Sequence, residues 1–182
     1  MLKYLVIGSL TMILSLTGFS QEETYHSSET YNSEAHLNRI GFCTGLTFVP
    51  AHLSNGKDEH LVVPTYGIEY ERRIKKWFAL GIINEFELEN YMIEHGSEES
   101  IERSYIYVVS VVAFFKPFKN LLLFGGPGYE LTSDHNFEVL KLGAAYEFEI
   151  SEKWDLAPLM YLDKVSDIYT TYSFGLSIGR RF

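Results

Sequence analysis

Residues 168–182 have the pattern of one long β-strand with an apolar face and a small or polar face. In a strand, alternate residues point to the same side. A strand in an aqueous core rarely needs this length, whereas crossing a bilayer obliquely takes roughly 9 to 11 residues. The segment therefore predicts a membrane-spanning strand of a β-barrel. Its apolar face comprises Tyr172, Phe174, Leu176, Ile178 and Phe182.

The first twenty residues have the pattern of a secretory signal peptide. Lys3 precedes an apolar run, and the small residues Gly18 and Ser20 stand before a predicted cleavage at Gln21. The apolar run is too short for a spanning helix, which needs about 20 apolar residues. We expect residues 1–20 to be removed, residues 21–37 to form a flexible periplasmic segment and residues 38–182 to form the barrel.

Composition limits the function classes open to this chain. Its 24 acidic and 15 basic residues give a net charge of -9. Nucleic acid is not an expected partner, because neutralising phosphates requires clustered lysine and arginine. The one cysteine, Cys43, has no partner for a disulfide within the chain.

Eight segments of alternating polarity follow the polar lead-in. They lie at 38–49, 61–73, 77–92, 103–116, 120–131, 137–150, 154–163 and 168–182. The connections after the second, fourth and sixth segments are short, and the others are longer and polar. This layout predicts an all-β fold, an eight-stranded antiparallel up-and-down transmembrane barrel. Trp77, Phe118 and Trp154, beside the short turns, are predicted to form membrane-interface aromatics on the periplasmic side.

A weak repeat, Gly-x-x-Tyr-Glu, predicts which side of each strand faces inward. It begins at Gly67, Gly126 and Gly143. A narrow barrel has a crowded interior that favours small residues, so the glycine and glutamate face should line the lumen and the tyrosine face should meet lipid. The predicted lumen polar network comprises Arg39, Glu69, Glu71, Arg73, Glu85, Glu87, Glu89, Glu130, Lys141, Glu147, Glu149 and Arg181.

The interior acids have two interpretations. Glu85, Glu87 and Glu89 occupy successive inward positions and could attract cations along a path. The favoured interpretation is a side-chain network closed by the interior cations, because eight strands leave an interior just wide enough for side chains.

The sequence resembles the small eight-stranded outer-membrane proteins of Gram-negative bacteria, the porin-like OmpX and OmpA-type barrels. The resemblance rests on the signal segment, the eight amphipathic segments, the turns with lysine beside an aromatic, and the closing strand YSFGLSIGRRF. It implies an outer-membrane location, contact with outer-membrane lipid and a monomeric state. It also implies that the last strand, with Phe182, is the signal read by the barrel-assembly machinery.

The resemblance identifies an architecture rather than an activity, since one such barrel supports many functions. We expect a structural, interaction or minor transport role, with no catalytic site, cofactor or metal. The alternatives are a soluble periplasmic lipocalin-like carrier and a barrel-embedded lipid hydrolase similar to the lipid A deacylases, which use a His-x-Ser pair. Two such triplets start at His52 and His95, but both lie in predicted loops. His52, Asp58 and His60 match no particular metal-site spacing.

Overall fold

The computed structural model describes residues 37–52, 58–88, 91–95, 99–103, 106–132, 136–166 and 168–182. Residues 1–36, with the predicted signal peptide and nearly all of the predicted periplasmic segment, lie outside this set. No helix among the described residues is long and apolar enough to cross a membrane. The strands are β1 (Asn38–His52), β2 (Asp58–Lys75), β3 (Phe78–Glu87), β4 (Tyr91–His95), β5 (Glu99–Arg103), β6 (Tyr107–Phe115), β7 (Leu121–Leu131), β8 (Asn136–Tyr146), β9 (Phe148–Glu149), β10 (Trp154–Val165) and β11 (Tyr169–Arg181).

Eight of these strands close into a ring in the order β1, β2, β3, β6, β7, β8, β10 and β11, with every neighbouring pair antiparallel. The last strand pairs with the first over ten residues, from Arg181 opposite Arg39 to Tyr172 opposite Phe48. The short β9 continues β8 along β10, and β4 pairs with β5 in a separate hairpin. The structure confirms the predicted eight-stranded antiparallel barrel.

The strand bounds differ from the prediction where the chain leaves the barrel. The predicted third strand, 77–92, divides into β3 and β4, and the predicted loop after it contains the β4–β5 hairpin. Strands β1 and β2 also stay paired as far as His52 opposite Asp58, inside the first predicted loop. Alternating polarity does not mark these extensions, since residues 50–60 and 93–102 lack a regular two-residue period.

Three prolines occupy positions where one ladder is interrupted. Pro127 pairs with β8, but the β6–β7 ladder passes from Ser110 to Ala113 without a partner for it. Pro64 precedes the first β2–β3 pair, and Pro158 precedes the β8–β10 ladder. Proline has no N–H to donate. Each of these prolines has no ladder partner on one side, so no backbone hydrogen bond is lost there.

Polarity is inverted relative to a soluble barrel. Large apolar side chains are exposed on the outer wall of the ring, and charged side chains are buried inside it. A soluble lipocalin-like carrier would instead have an apolar pocket and a polar exterior, so this alternative is wrong. The exposed wall residues include Phe42, Leu46, Ile68, Leu80, Val111, Leu123, Leu142, Met160, Phe174 and Leu176.

The interior is only partly polar. Phe114 and Phe124 are buried inside the barrel, with ring centroids 5.7 Å apart. A Cβ at Gly143 would lie 2.3 Å from Cζ of Phe124, and one at Gly81 would lie 2.8 Å from Phe114. These glycines therefore leave room for the two aromatic rings. Alternation from Gly126 and Glu130 already places Phe124 on the inward face, whereas the repeat does not assign the strand that carries Phe114. The rings belong to an apolar cluster with Ala79, Ile83, Val112, Leu122, Ala145 and Ala157.

Two tyrosines on the outer face, Tyr70 and Tyr107, are buried. Of these, Tyr70 belongs to the repeat, which predicts that it meets lipid. Tyr70 is 2 % exposed, and its hydroxyl donates to Oδ1 of Asn38 at 2.8 Å. Tyr107, also 2 % exposed, donates to Oδ1 of Asn84. Each hydroxyl reaches an amide on a neighbouring strand, so the ring lies along the wall instead of projecting into lipid.

Leu142 tests the polarity of the wall, because it lies on the outer face in the middle of β8 and is 47 % exposed. Arginine at a lipid-facing midplane position costs about 2 to 4 kcal/mol. We expect Leu142→Arg to lower the free energy of unfolding by that amount in a denaturant titration in lipid vesicles. Leu142→Met is the matched control and should fold like the parent. An unchanged unfolding midpoint for Leu142→Arg would contradict the assignment.

Candidate functional site in the barrel interior

A chain of alternating charges crosses the interior at the end of the barrel that carries the short turns, called here the short-turn end. Arg39 pairs with Glu69 on β2 and with Asp155 on β10, where Nη2 lies 2.6 Å from Oδ1. Asp155 also forms an ion pair with Arg181 at 3.2 Å, and Arg181 pairs with Glu147 at 3.0 Å. Glu147 also pairs with Lys116, which is the last residue in this series of charges. These six residues form the short-turn cluster, in which three acids neutralise three bases.

Two glycines give Arg39 its path through this cluster. The residue lies on β1 and Asp155 lies on β10, so the guanidinium must pass across β11, which separates the two strands. A Cβ on Gly179 of β11 would lie 2.2 Å from Nε of Arg39, and one on Gly41 would lie 2.3 Å from Oε1 of Glu69. The ion pairs therefore require the missing side chains at both positions.

A second cluster lies at mid-strand and centres on Lys141, which is fully buried. Its ammonium lies 2.6 Å from Glu85 and 2.7 Å from Asp163, and 3.9 Å from the ring centroid of Tyr161. A buried ammonium needs such partners, because an unpaired charge away from water is very unfavourable. We call Lys141, Glu85 and Asp163 the central cluster.

An apolar layer lies inside the barrel near the opposite end, called here the loop end. It consists of Val49, Val63, Ile106, Val108, Val139 and Val165. Glu130 is buried nearby on β7 and accepts a hydrogen bond of 2.8 Å from Tyr169, which packs on this layer. The layer separates the central cluster from the loop end.

A small cavity lies inside the barrel at the short-turn end. It is lined by Glu71, Arg73, Lys116 and Phe114 among others, and it has a volume of about 10 Å³. That volume is about the minimum needed for one water. Oε2 of Glu71 is buried beside it and has no hydrogen-bond partner among the described residues.

The structure distributes the predicted polar residues unevenly. Arg73 is half-buried and has no ion pair with a described residue, and Glu87 is half-buried near the loop end. Glu149 is on the inward side opposite Asp155, but it is exposed at the rim and does not join the network. Glu89 lies outside the described residues. Those that are buried or hold interior ion pairs are Arg39, Glu69, Glu71, Glu85, Glu130, Lys141, Glu147 and Arg181.

The predicted interface aromatics and Phe182 all lie at the short-turn end. Trp77, Phe118 and Trp154 are exposed beside the three short turns. Phe182 is also exposed, and its backbone exchanges hydrogen bonds of 3.0 and 2.9 Å with Asn38. The aromatic side chains therefore ring the outside of this end, away from the charged interior.

Two central members of the network, Asp155 and Asp163, were not among the predicted residues. Both lie inward on β10, with Ala157, Leu159 and Tyr161 between them on the same face. The sequence contains a signal for this shared inward face, because strand residues separated by an even number of positions point to the same side.

The described residues contain no group of three His, Cys, Asp or Glu that could hold a metal ion. Ser54 and Ser97 of the His-x-Ser triplets lie outside the described residues. The polar groups of the described interior bind mainly one another, so the arrangement fixes side chains rather than presenting a reactive group to a substrate.

Comparison with known proteins gives likenesses of structure alone. No family model matches the sequence, and no curated protein matches it. Neisserial surface protein A matches 80% of this chain and 97% of its own, with 12% identity and a TM-score of 0.55. The N-terminal β-barrel domain of Pseudomonas aeruginosa OprF matches 81% and 98%, with 12% identity and a TM-score of 0.54. Yersinia pestis Ail, in complex with the heparin analogue sucrose octasulfate, matches 80% and 97%, with 16% identity and a TM-score of 0.52.

These likenesses, at such low identity, concern the fold. The chain has the fold of the small eight-stranded outer-membrane β-barrels. Its outer wall is apolar over the spanning strands, as a bilayer requires, and its charged groups are enclosed. The protein is therefore an outer-membrane β-barrel, and the expectation of that location is confirmed.

Removing one member of the short-turn cluster tests its coupling. Arg39→Met leaves Glu69 and Asp155 buried with fewer partners, and breaking a buried ion pair costs about 3 to 5 kcal/mol. We expect a loss of that order in the free energy of unfolding, measured by urea titration in detergent micelles. In Arg39→Met combined with Glu69→Gln, less uncompensated charge remains, so part of the loss should be recovered. If both variants match the parent, Arg39 is not coupled to these acids.

Proposed function

We propose that this outer-membrane barrel has a structural or surface-interaction role, with its lumen closed to solutes. The observation that supports this most is the filled interior. Two ion clusters, the aromatic rings Phe114 and Phe124 and the apolar layer follow one another between the short-turn end and the loop end. A minor transport role has less support, because a transported ion would have to cross the apolar layer.

The loop end supplies the surface for an interaction. Strands β1 and β2 pair over 15 positions, from Asn38 to His52, whereas spanning the hydrocarbon takes roughly 9 to 11 residues. The remaining pairs extend beyond the membrane, and the β4–β5 hairpin follows β3 on the same side. Ail, the attachment invasion locus protein, forms a complex with a heparin analogue, so ligand binding has a precedent in this fold.

The remaining properties follow from the same architecture. The apolar wall is expected to contact outer-membrane lipid directly, and the barrel-assembly machinery is expected to read the last strand with Phe182. A monomer suffices, since the ring of strands is closed by itself. We propose no catalytic role and no cofactor.

A closed lumen predicts that the barrel does not conduct ions. The purified barrel, refolded into a planar lipid bilayer, should show no steady ion conductance above that of the lipid, because side chains fill its interior. Single-channel recording over a range of salt concentrations measures this. A stable open level whose current scales with salt would contradict the closed-lumen proposal and favour transport.

The topology predicts which end faces outward. Epitope tags inserted at Asn55 or at Gly96, beside the long hairpins, should bind antibody on intact cells, because longer loops are extracellular in this class. A tag at Lys119, in the β6–β7 turn, should bind antibody only after the outer membrane is opened. Antibody binding to the Lys119 tag on intact cells would show the opposite insertion.

A further inference from the structure

The outer face at the short-turn end carries two arginines on either side of β1. Arg72 of β2 lies opposite Asn38, and Arg180 of β11 lies opposite Ile40. Both alternate with inward residues, so both side chains lie on the lipid side of the wall. We propose that this arginine pair binds the phosphate of an anionic phospholipid in the adjoining leaflet.

Both guanidinium groups are held in place by uncharged partners. Nη1 of Arg72 donates to Oδ1 of Asn38 at 2.8 Å, and the same oxygen accepts from Tyr70. Cζ of Arg180 lies 5.9 Å from the ring centroid of Trp154, within cation–π range. The two cations are therefore oriented before any lipid arrives, which reduces the entropy lost on binding.

Neither charge is neutralised within the described part of the chain. Neither arginine has an ion pair with a described carboxylate, in contrast to Arg39 and Arg181 on the inner face. A cation on a lipid-facing wall is unfavourable unless it reaches headgroups or water. An anionic headgroup supplies the missing counter-charge.

The surface around the pair fits the rest of a phospholipid. Exposed apolar side chains continue up the wall from it, including Ile40 and Ile178. Trp154, 44 % exposed, stands at the depth where indole rings prefer the headgroup region. Acyl chains would lie along the wall with the phosphate between the arginines.

Trp154 can report on this site by fluorescence. The chain has two tryptophans, so Trp77→Phe leaves Trp154 as the single emitter. The full barrel in this background is refolded into vesicles containing bromine-labelled phosphatidylglycerol or phosphatidylcholine, which quench an adjacent indole. We expect quenching to show that phosphatidylglycerol is preferred over phosphatidylcholine beside Trp154, by about five-fold for each arginine engaged.

Substitutions separate this site from general attraction to the rim. Arg72→Gln and Arg180→Gln should each lower the preference about five-fold, while Arg180→Lys should keep most of it. Lys119→Gln is the matched control, because it removes one cation from the same end on the opposite side of the ring. A heat-modifiable gel shift verifies folding of each variant.

Equal quenching by the two lipids in the folded parent would overturn the proposal. An equal loss of preference in Lys119→Gln would also overturn it, because the attraction would then belong to the whole rim. Loss confined to the two arginine-to-glutamine variants is the supporting result.

Discussion

The ladder between β1 and β11 is the constraint on which the rest of the structure depends. It turns an eight-stranded sheet into a ring, and at its end Asn38 and Phe182 exchange two backbone hydrogen bonds. In lipid an unpaired backbone group costs several kcal/mol, so an open edge would not survive there. Closure with eight strands also fixes a narrow interior, which side chains can fill.

The short-turn cluster reinforces this seam from inside. Arg39 extends from β1 across Gly179 of β11 to Asp155 of β10, and on its other side it pairs with Glu69 of β2. Buried ion pairs add little net stability compared with apolar packing, but they can specify one arrangement. A slip of one residue in β1 would turn Arg39 into lipid and Ile40 into the charged interior. The cluster therefore destabilises the shifted register of β1 more than it stabilises the native register.

Alternating polarity was enough to locate all eight spanning strands, because each has one face in lipid. It was also enough to assign Glu69 and Lys141 to the interior. The β4–β5 hairpin was not predicted this way, because residues 93–102 show no regular alternation of polarity. Nor could the contact between Phe124 and Gly143 or the burial of Tyr70 against Asn38 be predicted, since both depend on residues of neighbouring strands. Those contacts require the inter-strand register, which a single sequence does not supply.

The division of charge between the two sides of the wall has a functional consequence. Interior cations such as Arg181 and Lys141 are saturated by carboxylates of the chain itself. These cations therefore stabilise the fold through ion pairs with the chain's own acids. Charged groups on the outer wall and the two rims are therefore better placed to act on other molecules. This chain has such groups at both ends, namely those of the hairpins that extend past the membrane and the arginines without acidic partners among the described residues at the short-turn end.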